Sequence, residues 1–131
     1  MPDRDTFRRA AETHDVELLL EAMREDVELH SPVLFRGFHG RDVVIQVLGF
    51  VALTLEDFRY VDDVAEGDTV FLRFKAKVGE RELEGVDVLK LDEDNRVKEL
   101  TVFMRPLSAI TAFNERMAAH FAGAQTPPSP N

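Results

Sequence analysis

Apolar and polar positions change period partway along this chain, from helical spacing to strict alternation. Phe7, Ala10, Ala11 and His14 share one side of a helix predicted from about Asp3 to Thr13, and Asp15 is placed to cap a second helix carrying Leu18, Leu19 and Ala22. Val27, Leu29 and Ser31 then fall in one phase of a short strand that Pro32 ends, and Gly37 and Gly40 mark a loop. A third helix is predicted from about Arg41 to Leu53. Its Val43, Val44, Val47, Leu48 and Val51 cover more than one stripe, so it must be buried against a sheet. Four alternating runs supply that sheet: Phe58 to Glu66, Thr69 to Val78, Arg81 to Asp92 and Val97 to Arg105. Their connectors, Glu66-Gly67-Asp68, Gly79-Glu80 and Asp92-Glu93-Asp94-Asn95, have the composition of hairpin turns. After Pro106, helical spacing returns with Leu107, Ile110, Phe113, Met117 and Phe121.

Helices followed by an antiparallel meander predict an α+β domain, a cone-shaped curved antiparallel sheet wrapped around the N-terminal helices, with an added C-terminal helix. One domain is expected over 1–121. The remainder, 122–131, is too poor in apolar residues to pack and is expected to be a disordered tail.

One position breaks the pattern. In Leu83-Glu84-Gly85-Val86-Asp87-Val88-Leu89-Lys90-Leu91, Asp87 shares the phase of Leu83, Gly85, Leu89 and Leu91, the face expected to be buried. An isolated ionised carboxylate is costly to bury. Asp87 is therefore hydrogen-bonded, paired, held protonated, or aimed into a cavity that a ligand enters. Facing an apolar cone, it would have a raised pKa and would act as a hydrogen-bond donor or general acid. The alternative is a structural aspartate satisfied by a backbone amide or another partner.

Composition narrows the partners. The chain carries 16 basic and 25 acidic residues, a net charge of -9, and nothing like a basic stripe, so nucleic acid and anionic lipid are not expected partners. There is no cysteine, which excludes disulfides, thiolate metal sites and a thiol nucleophile. The charged start Met1-Pro2-Asp3-Arg4-Asp5 lacks an apolar signal core, no apolar stretch approaches membrane-spanning length, and a cytoplasmic location is expected.

Other candidates are weaker. His30 lies between Leu29 and Ser31, so alternation turns it outward, while His39 in Phe35-Arg36-Gly37-Phe38-His39-Gly40 can reach a pocket mouth; both are candidate catalytic partners of Asp87. His14 is expected in the turn between the first two helices and His120 at the exposed end of the last. No His-x-His, His-x-x-x-His or His-x-x-Glu pattern and no phosphate-cradling glycine loop occurs, so neither metal nor cofactor is expected. Ten phenylalanines and one tyrosine make a dry interior, in which Phe35, Phe38, Phe50, Phe58 and Phe113 either close a pocket or fill the core. On the opposite sheet face, Phe71, Val86, Val88 and Phe103 form an apolar centre ringed by charges of both signs, the pattern of a homodimer interface.

The order of elements, with Asp15 opening the second helix, Ser31-Pro32 ending a strand, Gly40-Arg41-Asp42 opening a helix and the meander following, resembles the nuclear transport factor 2-like superfamily over about Phe7 to Arg105. Within it the chain is similar to the SnoaL-like and ketosteroid isomerase-like branch. The resemblance implies a cystatin-like α+β roll whose cone encloses an apolar pocket, and pairing of two copies through their sheets. It places Asp87 at the isomerases' oxyanion-hole aspartate, Ser31 where they carry a general-base aspartate, and Phe7 near their oxyanion-hole tyrosine. The acid that the polyketide cyclases would bring on the final strand is absent from Leu100-Thr101-Val102-Phe103-Met104. The expected pocket is lined by Phe7, Ser31, Phe35, Phe38, Leu48, Phe74, Leu89, Leu100, Val102 and Met104 around Asp87, and takes a hydrophobic, oxygenated small molecule. Such a chain is an acid/base enzyme, a non-catalytic binder, or a dimeric association module.

Overall fold

The computed structural model describes residues 1–124. The elements run α1 (Thr6–Thr13), α2 (Val16–Ala22), β1 (Met23–His30), β2 (Phe38–His39), α3 (Arg41–Thr54), β3 (Glu56–Glu66), β4 (Thr69–Val78), β5 (Arg81–Leu91), β6 (Val97–Arg105) and α4 (Leu107–Gly123). Helix α1 starts later than the periodicity predicts. Asp3 accepts hydrogen bonds at Oδ1 from the Asp5 amide and the Thr6 hydroxyl, which holds the preceding residues in a turn. His14 ends α1 in the left-handed conformation (φ 54°), and the Asp15 carboxylate then accepts from the Leu18 amide at 3.0 Å, capping α2.

The strands form one six-stranded sheet in the order β2-β1-β6-β5-β4-β3. Strands β3 to β6 are the predicted antiparallel meander. Two features differ from expectation. Strand β1 pairs with β6 in parallel, because the chain between them runs through α3 and the whole meander rather than through a hairpin. Phe38–His39, expected as loop, forms the short edge strand β2 against β1.

The inner face holds the core. Burial alternates along β4 and β5, with Val70, Leu72, Phe74, Ala76 and Val78 on one and Leu83, Gly85, Asp87, Leu89 and Leu91 on the other. Phe7 of α1, Val44 and Val47 of α3, and Ala109, Phe113 and Met117 of α4 belong to the same apolar cluster. Burying a side chain such as Phe74 stabilises the fold by about 1.5–3 kcal/mol. Arg8 Nη1 donates to Asp63 Oδ2 at 2.7 Å, which ties α1 to β3. Gly85 is required locally: a Cβ there would meet the Phe103 carbonyl oxygen and come within 2.5 Å of Phe74 Cζ. No described helix is long and apolar enough to cross a membrane. Helix α4 continues through Gly123, past the expected domain end, and the rest of the expected tail, 125–131, lies outside the described residues.

Candidate functional site

Asp87 lies in the middle of β5, opposite Leu72 of β4 and Val102 of β6, and is 7% exposed. It borders a cavity of about 350 Å³ between the sheet's inner face and the helices. That volume falls in the range of small-molecule sites. The deep wall is apolar, built from Phe7, Leu29, Phe38, Phe74 and Leu100, and α4 adds Phe113, Met117 and Phe121. Exposed lining residues come from the α1–α2 turn (His14, Asp15, Val16), the loop after β1 (Val33, Leu34), Asp57 and Asn114.

Tyr60 of β3 reaches across β4 and donates its hydroxyl hydrogen bond to Asp87 Oδ2 at 2.8 Å. No other described residue hydrogen-bonds the carboxyl. Burial pushes the Asp87 pKa up from 3.8 to about 7, and the Tyr60 hydrogen bond holds it from rising further. Burial, reinforced by the neighbouring Asp87 carboxylate, also pushes the Tyr60 phenol well above its ordinary value of 10.0. Near neutral pH the carboxyl is therefore divided between its two protonation states, with Oδ1 left to donate or accept, while the phenol stays a donor.

Phe7, Ser31, Phe38, Leu48, Phe74, Leu100, Val102 and Met104 all border the cavity beside Asp87. Ser31 is already engaged: its Oγ accepts from the Leu34 amide at 3.1 Å and the Val33 amide at 3.4 Å. The turn so formed corrects the expectation for Phe35, which points fully into solvent because strand alternation stops at Pro32. Leu89 is also corrected; it has the phase of Asp87 but lies two residues further along β5, fully buried in the core and away from the cavity. His30 and His39 do not join Asp87. They turn to the outer side of the sheet, where His30 Nε2 lies 3.3 Å from Glu28 Oε2 and His39 Nδ1 lies 3.4 Å from Glu28 Oε1. Among the other phenylalanines, Phe58 and Phe113 line the cavity, whereas Phe50 stacks on His120 with ring centroids 5.6 Å apart.

Tyr60 is the residue that sequence reasoning missed. Its signal was present: it is the only tyrosine beside ten phenylalanines, and it shares the inward phase of Phe58. The α4 contribution from Met117 and Phe121 was also missed, since helical spacing shows which residues are inward without showing what they face.

No curated protein matches this chain. A solved protein from Silicibacter pomeroyi DSS-3, described as uncharacterized, conserved in bacteria and with a cystatin-like fold, is 31% identical with a TM-score of 0.86, over 90% of this chain and 84% of that one. A steroid delta-isomerase from Pseudomonas aeruginosa is 33% identical with a TM-score of 0.84, over 88% and 86%. An NTF2-like protein from Burkholderia xenovorans LB400 shares the fold at 20% identity and a TM-score of 0.68, over 84% and 92%. A family model described as SnoaL-like domain matches residues 4–100, from the turn before α1 to the inward Leu100 of β6, and so includes the strands that carry Tyr60 and Asp87. By this match and by these likenesses, the chain belongs to the SnoaL-like domain family.

Proposed function

We propose that this protein binds a hydrophobic, oxygen-bearing small molecule in the cavity and exchanges a proton with it through Asp87, as an acid/base enzyme of isomerase type. The observation that carries this is the Asp87–Tyr60 pair: one carboxyl oxygen is fixed by the phenol, and the other has no partner among the described residues beside an apolar cavity. A carboxyl with a pKa of about 7 can give a proton to a developing oxyanion or take one from carbon near physiological pH. Tyr60 is a positioning residue that orients Asp87 and tunes its proton affinity. Similarity to the Pseudomonas aeruginosa steroid delta-isomerase supports the same class of chemistry. His30 and His39 have no part in it, because both lie on the outer side of the sheet.

The test is a panel of apolar enones and hydroxylated polycycles, assayed for double-bond migration and for binding. Turnover should fall on the order of a hundredfold or more in Asp87→Asn while binding persists. Binding without turnover selects the non-catalytic binder, which the engagement of Ser31 in a backbone turn and the absence of a hydroxyl at Phe7 favour. Binding of no panel member, or binding and turnover indifferent to Asp87 and Tyr60, would remove the cavity from the account.

The outer sheet face supports pairing of two copies. Phe71 and Phe103 are 43% and 58% exposed there, and Arg73, Asp62, Glu84 and Arg105 beside them pair within the chain at 2.6–3.0 Å. Apolar groups inside a ring of already neutralised charge can be covered without stranding an ion.

A further inference from the structure

We infer that Glu28, His30 and Glu99, on the outer side of the sheet where β1 and β6 run side by side, form a binding site for a divalent transition-metal cation of the zinc type. Spacing along the chain does not reveal the set, because it assembles across strands. Glu28 of β1 is in register with His39 of β2 on one side and with Glu99 of β6 on the other, and His30 follows Glu28 by two residues on the same face. One ligand atom each from Glu28, His30 and Glu99 lie within 4.8 Å of one another. His30 Nε2 stands 3.3 Å from Glu28 Oε2, while His39 lies outside the set, its Nδ1 3.4 Å from the other carboxylate oxygen, Oε1.

The geometry and the donor set both point to a metal. Ligand atoms about 2.1 Å from a tetrahedral zinc are about 3.4 Å apart, close to the spacing at which the His30 imidazole already stands from Glu28. An imidazole with two carboxylates suits a cation of the zinc type, whereas calcium and magnesium favour all-oxygen shells. Two carboxylates directly opposed on neighbouring strands repel in a chain of net charge -9. Among the described residues no lysine or arginine forms an ion pair with Glu28 or Glu99; Lys90, in register with Glu99, turns its Nζ to Thr69 Oγ1 at 2.7 Å instead.

The His30 ring is also held in place. A Cβ at Gly37 would come within 2.9 Å of His30 Nδ1, so the glycine backbone closes against the ring and leaves Nε2 turned toward Glu28. A cation here would fasten the end of β1 to β6, and with it the start of the 31–37 loop that follows His30, whose Ser31 to Leu34 border the cavity mouth. The site lies on the face away from Asp87, so it stands or falls separately from the proposed acid/base chemistry.

The experiment is calorimetric titration of the full chain with zinc alone in a non-chelating buffer, with side-chain NMR of the histidine rings in parallel. One equivalent should bind, shifting the His30 signals before those of His14 and His120. Glu28→Gln and His30→Gln should each weaken binding by about tenfold or more. His14→Gln and His120→Gln should leave it unchanged. Zinc should raise the melting temperature of the wild-type chain and not of Glu28→Gln. Glu99→Gln, at an exposed position, covers the case in which either inner variant fails to fold, and should also lose affinity. Absence of saturable binding, or binding that follows His14 or His120, overturns the assignment.

Discussion

Urea denaturation of the wild-type chain and of Asp87→Asn, from about pH 4 to about pH 8, measures what the buried carboxyl costs the fold. In the unfolded chain Asp87 titrates near 3.8, and in the folded chain near 7. Between those values the folded state holds a proton that the unfolded state has released. Stability is therefore fully present below the unfolded pKa and is lost as pH rises through the folded one. The slope is about 1.4 kcal/mol per pH unit over roughly three units, so about 4 kcal/mol in all. That is a large share of the 5–15 kcal/mol typical of a domain. Asparagine keeps an oxygen to accept from Tyr60 and has no charge to bury. The difference in unfolding free energy, wild type minus variant, should fall across this window and level off above it. Every other carboxylate is common to both chains and cancels. A difference that stays flat, or that changes only below about pH 4, would refute the reasoning, since Asp87 would then titrate as an ordinary exposed aspartate.

Three further outcomes are expected. Tyr60→Phe removes the donor that opposes the effect of burial, so the Asp87 carboxyl, followed by carbon-13 NMR, should titrate above 7; an unchanged or lower pKa would mean the hydrogen bond is not formed in solution. Gly85→Ala forces a methyl against the Phe103 carbonyl and the Phe74 ring and should destabilise by about 1–3 kcal/mol in chemical denaturation, whereas a neutral effect would show that the two strands have slack there. Phe71→Glu combined with Phe103→Glu should shift sedimentation from dimer to monomer without loss of helix or sheet signal, and a monomeric wild-type chain would end the case for pairing.

The strand phases and most of the element order follow from the residues alone, because alternation and helical spacing are local consequences of backbone geometry. Thr69–Val78 and Val97–Arg105 were legible to the residue, and Asp87 stood out because a carboxylate had taken an inward place among leucines. Where the backbone leaves a regular period, that signal ends: Phe35 turns to solvent past Pro32, and β2 depends on pairing with β1 rather than on its own two residues. Which inward residues meet across strands follows from the fold rather than from any local period. Tyr60 and Asp87 are 27 positions apart and touch because β4 lies between β3 and β5, and Glu28 meets His39 and Glu99 because β1 is flanked by β2 and β6. The period of a strand fixes the direction of a side chain. Its partner is fixed by strand order and register, which depend on long-range packing that no short window of sequence contains.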